Sequence, residues 1–269
     1  MQYVGPPFVY SFTIVASGCG LLAPKGVTVL GSSAIWISQQ QFYRYGTSGV
    51  QVVPCPIWDI LFNNMDPDPA INKITAGTNS AFDEVIVSYA SLTGDTDEID
   101  SYVKFKPATG EWDYGSNNSS PGCSQYARTA WMDQSVFGSA MGGDLNKHIQ
   151  QHEIGYDADG TAMAGVFAET GYADISDGDS IMTANEIIPD LKWFGNVPGA
   201  IMVTLKGVMY PQGPAYQKGP YGMDMQNRHI RPRIRARSIA ARFDWVARLG
   251  YSARIGAVRV RAAMSGKRP

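Results

Sequence analysis

Apolar and polar positions alternate along most of this chain, and one short stretch breaks the pattern. Phe8-Val9-Tyr10-Ser11-Phe12-Thr13-Ile14 has the two-residue period of a strand. Residues 27–45 read as a hairpin. Gly31-Ser32-Ser33 supplies the turn, and Ala34-Ile35-Trp36-Ile37 and Gln41-Phe42-Tyr43-Arg44-Tyr45 supply strands. Residues 74–76 and 84–89 follow as strands. A second hairpin joins 102–106 to 111–114 around Pro107-Ala108-Thr109-Gly110. A strand is expected to start at 127–132, a tight Asp-Gly hairpin turn at 154–161, and extended segments at 201–208, 230–243 and 253–262.

The exception is Trp58, Leu61, Phe62 and Met65, which recur at i, i+3, i+4 and i+7 behind Pro56. That spacing predicts one amphipathic helix of about two turns, ended by Asp66-Pro67-Asp68-Pro69. Trp36, Ile86 and Trp131 each fall in a strand of a hairpin-rich unit, 50 and 45 residues apart. Propeller blades repeat at about 40–50 residues. The expected fold is therefore all-β and β-propeller-like, complete or incomplete, with a C-terminal arginine-rich β-region. A β-sandwich with long hairpins gives a similar pattern and is the alternative.

Composition narrows the class. With 44% hydrophobic and 17% charged residues over 269 positions, the chain is neither disordered nor a charged coiled coil. A chain this long buries about 75% of its unfolded surface and needs no disulfide or metal for a core. Cys19, Cys55 and Cys123 are an odd, widely spaced set and read as free, buried thiols. Residues 1–24 carry no charge, but prolines interrupt them and no basic segment precedes them, so neither a leader nor membrane insertion is expected. Ala16-Ser17-Gly18-Cys19 resembles a lipoprotein box without its upstream cation. The abrupt start Met1-Gln2-Tyr3-Val4 suggests a piece of a longer architecture.

The net charge of −2 conceals a division. Residues 1–200 hold 8 Lys/Arg against 22 Asp/Glu, a net of −14. Residues 201–269 hold 14 against 2, a net of +12. Two domains are expected on that boundary: 1–200, an acidic propeller-like domain, and 201–269, a basic β-rich region packed on or beside it.

The basic region contains Arg231-Pro232-Arg233-Ile234-Arg235-Ala236-Arg237. On a strand, four arginines line one face and Pro232, Ile234 and Ala236 the other. Arg259 and Arg261 alternate with Val258 and Val260 in the same way, and Arg228, Arg242, Arg248, Arg254, Lys267 and Arg268 add to the charge. Adjacent arginines on one face repel unless something acidic faces them. Three counterparts stay open: the acidic body of this chain or a neighbouring copy, nucleic-acid phosphate, or solvent on a protected edge. The candidate interaction residues are Arg228, Arg231, Arg233, Arg235, Arg237, Arg242, Arg259 and Arg261.

Catalytic chemistry has little support. His148, His152 and Glu153 do not match a zinc-protease motif and read as surface or packing residues. His229 is isolated. Asp157, Asp159, Asp174, Asp177 and Asp179 lack calcium-loop spacing and read as Asx turns. Asp95, Asp97, Glu98 and Asp100 read as a solvated loop. No nucleophile elbow, phosphate loop or dinucleotide fingerprint occurs. No catalytic residue, metal or cofactor is expected.

Several segments form a set of motifs. They are Phe42-Tyr43-Arg44-Tyr45-Gly46, Val53-Pro54-Cys55-Pro56-Ile57-Trp58-Asp59 and Thr78-Asn79-Ser80-Ala81-Phe82-Asp83-Glu84-Val85. Ala127-Arg128-Thr129-Ala130-Trp131-Met132-Asp133, His152-Glu153-Ile154-Gly155-Tyr156-Asp157 and the stretch from Arg235 through Arg248-Leu249-Gly250 to Gly266-Lys267-Arg268 continue the pattern. In patches over 30–268 the chain resembles the tail hub or nozzle proteins of short-tailed phages, also called packaged-DNA stabilisation proteins, in an N-terminally short version. The resemblance implies a non-enzymatic virion subunit, assembled in the bacterial cytoplasm into a homo-oligomeric ring. It implies portal-adaptor and tail fibre or needle proteins as partners, and packaged double-stranded DNA held in the channel. A nucleic-acid-binding β module and a carbohydrate-active propeller enzyme are the competing expectations.

Overall fold

The computed structural model describes residues 2–94, 98–116, 128–134, 138–144, 147–157, 160–175, 179–210 and 212–267. The chain is all-β in several sheets, and none of them closes on itself among the described residues. It divides into two compact units, Met1–Ile154 and Gly155–Pro269. This division differs from the change of charge at residue 200.

The first unit opens with a small ribbon, β1 (Gln2–Tyr3) and β2 (Tyr10–Ser11). Three antiparallel meanders follow in chain order. The first is β3 (Val27–Leu30), β4 (Ser33–Ile37), β5 (Phe42–Gly46) and β6 (Gly49–Val53). Gly31, at φ +59°, makes its first turn. The second is β7 (Thr75–Asn79), β8 (Glu84–Tyr89), β9 (Ser101–Lys106) and β10 (Glu111–Ser116). The third is β11 (Ala130–Met132), β12 (Met141–Gly143) and β13 (Ile149–Gln151). The first strands of the meanders are neighbours: β3 lies beside β7, and β7 beside β11.

Alternation decides which side chains enter the core. Ile35 and Ile37 on β4 are buried, as are Val103 and Phe105 on β9. Each fully buried aliphatic side chain contributes about 1.5–3 kcal/mol before entropy is counted. An aromatic seam joins the first two sheets. The ring of Phe42 lies 4.9 Å from that of Trp112, and Trp112 lies 4.7 Å from Phe105. The Trp112 indole N–H donates to the Pro54 carbonyl at 3.0 Å.

The expected helix exists but is shorter, and the Asp-Pro pair has another role. α1 spans Trp58–Phe62 with Leu61 buried, and a second helix, α2, spans Pro67–Lys73. The Asp66 carboxylate accepts the backbone N–H of Asp68 at 3.1 Å. Asp66 thus caps α2, and Pro67 stands at the first helical position, where no N–H is needed. The Asp-Pro motif starts a helix and does not end one, because α1 has already stopped at its C-cap Asn63. Trp36 and Ile86 occupy the second strands of their meanders, whereas Trp131 lies in a first strand, so these three residues are not structural equivalents. Asp100 is a turn clamp and not a solvated loop residue: it accepts the Ser91 N–H at 2.9 Å and the Ser91 hydroxyl at 2.7 Å. Asp95 and Asp97 lie outside the described residues. Cys19 and Cys55 are free but only half-buried, and Cys123 lies outside the described residues.

The second unit contains β14 (Phe167–Glu169), β15 (Ala173–Asp174), β16 (Ser180–Gly195), β17 (Ile201–Val208), β18 (Tyr216–Met223), β19 (Ile234–Ala236), β20 (Ser238–Trp245) and β21 (Tyr251–Lys267). One sheet runs β14-β20-β17-β18, with β15 also on β20; the other runs β19-β16-β21. Residues of both sheets form one buried cluster that includes Ala184, Ile187, Val203, Leu205, Ile234 and Phe243. The segment expected as one strand over 230–243 is split. β19 pairs with β16 and β20 pairs with β17, so the chain changes sheets at Arg237. Among the described residues no strand flanks the Asp-Gly turn at 154–161. There the Asp157 carboxylate accepts the Gly160 N–H three residues on at 2.8 Å, while Asp159 and Asp177 lie outside the described residues.

Candidate functional site

The three-stranded sheet of the second unit turns one face inward and carries its cations on the other. Ile234 and Ala236 on β19 are completely buried, and Pro232 just before them is buried too. The alternating Arg231, Arg233 and Arg235 are exposed. The expected division of faces therefore holds for these three. Arg237 is half-buried at the change of sheets, where its backbone N–H donates to Val208 at 3.0 Å.

Register places further cations on the same outer face. Arg235 stands opposite Thr183, Arg261 opposite Glu186, Arg259 opposite Ile188, and Arg254 opposite Lys192. From Thr183 to Lys192 β16 runs about 30 Å, at ~3.3 Å per residue. The face thus carries a row of cationic groups along a strand that local sequence pattern does not reveal.

One carboxylate anchors part of the row. Glu186 Oε2 lies 3.0 Å from Arg261 Nη1, and its Oε1 lies 3.6 Å from Arg231 Nε. The Glu186 side chain is only 12% exposed, while those of Arg231 and Arg261 are 73% and 77% exposed. Asn185, Glu186, Arg231, Arg233 and Arg261 line a cleft of about 410 Å³. Three guanidiniums around one carboxylate leave a net charge of +2, the chemistry of an anion-accepting surface. Arg231 also borders a second cleft of about 470 Å³, with Tyr221, Asn227 and His229. Arg233 adopts φ +47°, a left-handed conformation that costs a non-glycine residue about 1–2 kcal/mol.

The remaining candidates do not join this cluster. The Arg235 guanidinium donates to the Ser265 hydroxyl and carbonyl, both at 3.2 Å. Arg228 donates to the Met225 carbonyl at 2.9 Å. Arg242 belongs to the other sheet. It lies 2.8 Å from Asp244 and 3.6 Å from Glu169, and it covers the ring of Phe167 at 3.9 Å. The Asp244 hydrogen bond raises its pKa further. Arg242 is thus part of a closed local network. Glu186 and Lys192 were not among the sequence candidates, because both lie on β16, 45 and 39 residues before Arg231 in the chain.

A polar network in the first unit joins the second and third sheets. Asp133 accepts the Ser80 N–H at 2.8 Å, the Ser80 hydroxyl at 3.1 Å and the Thr78 hydroxyl at 3.0 Å. The Trp131 indole donates to the Thr78 carbonyl at 2.6 Å. The Arg128 side chain donates to His152 Nε2 at 2.8 Å, and the His152 ring packs 4.6 Å from Trp131. Burial, then Arg128 and Lys104, depress the His152 pKa to about 4. His148 is largely exposed beside Asp144, at 3.7 Å.

Among the described residues no group of three His, Cys, Asp or Glu is placed to hold a metal ion, and no helix is long and apolar enough to cross a membrane. The chain matches no protein-family model and no curated protein sequence.

Proposed function

We propose that this chain is a structural subunit of a phage tail hub or nozzle, forming a homo-oligomeric ring that continues the portal-adaptor channel and retains packaged DNA. The observation that carries the reading is the succession of meanders whose first strands adjoin, β3 beside β7 beside β11. Successive antiparallel meanders ranged first strand to first strand are the blade arrangement of a β-propeller, here as an incomplete set. The arginine face supplies a charged surface for a neighbouring copy, whose residues 1–200 carry the net of −14. Portal-adaptor and fibre or needle proteins are the further partners, and the virion tail is the place of action.

A second reading, a nucleic-acid-binding module, has its own support. Arg233, Arg254 and Arg259 have no acidic partner among the described residues, and they lie on the same face as Arg261. Phosphates spaced along a strand match such a row.

Mass measurement and negative-stain imaging at low and high salt, with and without DNA, separate the readings. A ring that forms without DNA and dissociates in salt agrees with charge-paired neighbours, because exposed pairs are screened over ~8 Å at 0.15 M salt. A monomer that shifts only when DNA is added favours the second reading. Assembly left intact by charge reversal of Arg233 and Arg235 counts against pairing through this face.

A further inference from the structure

The least covered stretch of the first unit is its beginning. Phe8 is 76% exposed, Phe12 80%, Ile14 87% and Val15 71%. Among the described residues the strand pairing here is Tyr3 with Tyr10 and Gln2 with Ser11. Residues 12–16 have no strand partner among the described residues, and no charge occurs before Lys25. Period-two alternation puts Phe8, Tyr10, Phe12 and Ile14 on one face of an extended strand. A two-stranded ribbon has marginal stability in water, and contiguous exposed apolar side chains mark an interaction surface.

The same unit contains a place for a strand. Among the described residues its first and second meanders have four strands each and the third has three, ending at β13. The pairing of β12 with β13 extends one residue beyond each end of β13. The Asp144 N–H donates to the His148 carbonyl at 3.0 Å, and the His152 N–H donates to the Ala140 carbonyl at 2.8 Å. Antiparallel bonds alternate along a strand. His148, Gln150 and His152 therefore face β12, and Ile149 and Gln151 turn their backbone N–H and C=O to the outer edge. No strand pairs with that edge among the described residues, and Ile149 is 73% exposed there.

We propose that residues 8–15 of one copy add as the fourth strand of the third meander in a second copy, along β13. Donor and acceptor are both uncharged, and eight residues suffice to cover the five from His148 to His152. A second copy is the occupant because both halves of the contact belong to this chain, and within one copy they are not paired with each other. Main-chain hydrogen bonds at Ile149 and Gln151 provide the attachment, and the Phe12 and Ile14 side chains gain cover. Such a contact is head-to-tail, and a head-to-tail contact whose rotation closes makes a ring. The inference deepens the ring reading and rests on its self-association, not on its phage context.

The test mixes full-length copies carrying Phe12→Cys with copies carrying Ile149→Cys, each with Cys19, Cys55 and Cys123 changed to Ser. A short bismaleimide then links nearby thiols. The expected product is a linked pair with one copy of each kind. In parallel, Phe12→Asp with Ile14→Asp weakens self-association at least tenfold by sedimentation, with circular dichroism and urea midpoint unchanged. Assembly that survives this double substitution overturns the strand exchange and leaves the ring reading standing. In copies that carry both Phe12→Cys and Ile149→Cys, a link formed only within each copy also overturns it. A wild-type chain that stays monomeric at every concentration overturns both.

Discussion

The Arg128 Nε–H donates to His152 Nε2 at 2.8 Å, so that nitrogen holds a lone pair and no proton. The aliphatic stem of the buried Arg128 lies over Gly142, where a Cβ would come within 2.6 Å of Arg128 Cδ. The imidazole in turn packs on Trp131. This neutral histidine ties the strands of the third meander together and backs the Trp131 indole, which donates to Thr78 of the second.

Acid should loosen the first unit before general acid denaturation begins. The native His152 titrates at about 4, against the ordinary 6.5 of the unfolded chain. Above pH 6.5 both states are neutral there and the term is absent. As pH falls below 6.5 the unfolded state takes up a proton that the native state refuses, so stability falls, and the loss levels off below pH 4. At about 1.4 kcal/mol per pH unit the total is at most about 3.5 kcal/mol. His152→Gln keeps an acceptor for Arg128 and does not titrate. Urea midpoints at pH 7.0, 6.0 and 5.0 should decline in the wild type and stay flatter in the variant; equal slopes would remove His152 as the cause.

Gly77→Ala should disrupt the junction of β7 with β11. A Cβ at Gly77 would lie 2.3 Å from Trp131 Cδ1, 2.6 Å from Cγ and 3.0 Å from Cβ. The conflict reaches the root of the indole side chain, so rotating the ring does not relieve it. Overpacking of this kind costs about 1–3 kcal/mol. The expected result is a lower urea midpoint together with a shifted tryptophan emission. A midpoint equal to wild type would mean that the two strands separate more easily than their contacts imply.

Local chemistry made some of this fold legible and long-range register hid the rest. The turns at Gly31 and Gly110 could be read because glycine at φ +59° and +74° announces them within a few residues. The division of Arg231, Arg233 and Arg235 from Pro232, Ile234 and Ala236 could be read because it depends only on alternation. β16 could not. Its register slips between Ile181 and Met182, between Ala184 and Glu186, and between Pro189 and Leu191, so its apolar residues change phase and show no steady period. Pro189 also argues against a central strand, yet β19 covers only residues 182–184 of β16 and requires no N–H from Pro189. Without β16 the partner of Arg231 and Arg261 stayed hidden, since Glu186 reaches them only through pairing across the sheet.

Asp133 should help to hold the junction of β7 with β11. It accepts three hydrogen bonds from Thr78 and Ser80, tying the end of β7 to the residue after β11. Asp133→Ala leaves the Ser80 N–H and two hydroxyls to find other partners. Hydrogen bonds to a charged group are worth about 1.5–3 kcal/mol each, less where water can replace the lost acceptor. We expect a loss of roughly 2–3 kcal/mol by the same scale, and a smaller one for Asp133→Asn, which keeps one acceptor oxygen. Hydrogen exchange should report the Ala variant as faster at Ser80 first. Unchanged protection there would show that the carboxylate does not hold the junction.

Glu186→Gln separates the structural role of the arginine face from its binding role. Arg231 and Arg261 are mostly exposed, so losing their shared carboxylate should change stability by at most about 1 kcal/mol. The charge around the cleft, however, rises from +2 to +3, because the three arginines that line it remain. A phosphate polymer attracted to this face should be held more tightly at 50 mM salt. Each phosphate neutralised steepens the fall of log affinity with log salt by about 0.9 for duplex DNA. Titration of a fluorescent duplex should show tighter binding for Glu186→Gln and weaker, less salt-dependent binding for Arg254→Glu with Arg259→Glu. If neither variant alters DNA affinity while both alter self-association, the acidic counterpart of this face is another protein surface. If both alter DNA affinity and leave self-association unchanged, the arginine row is a phosphate track.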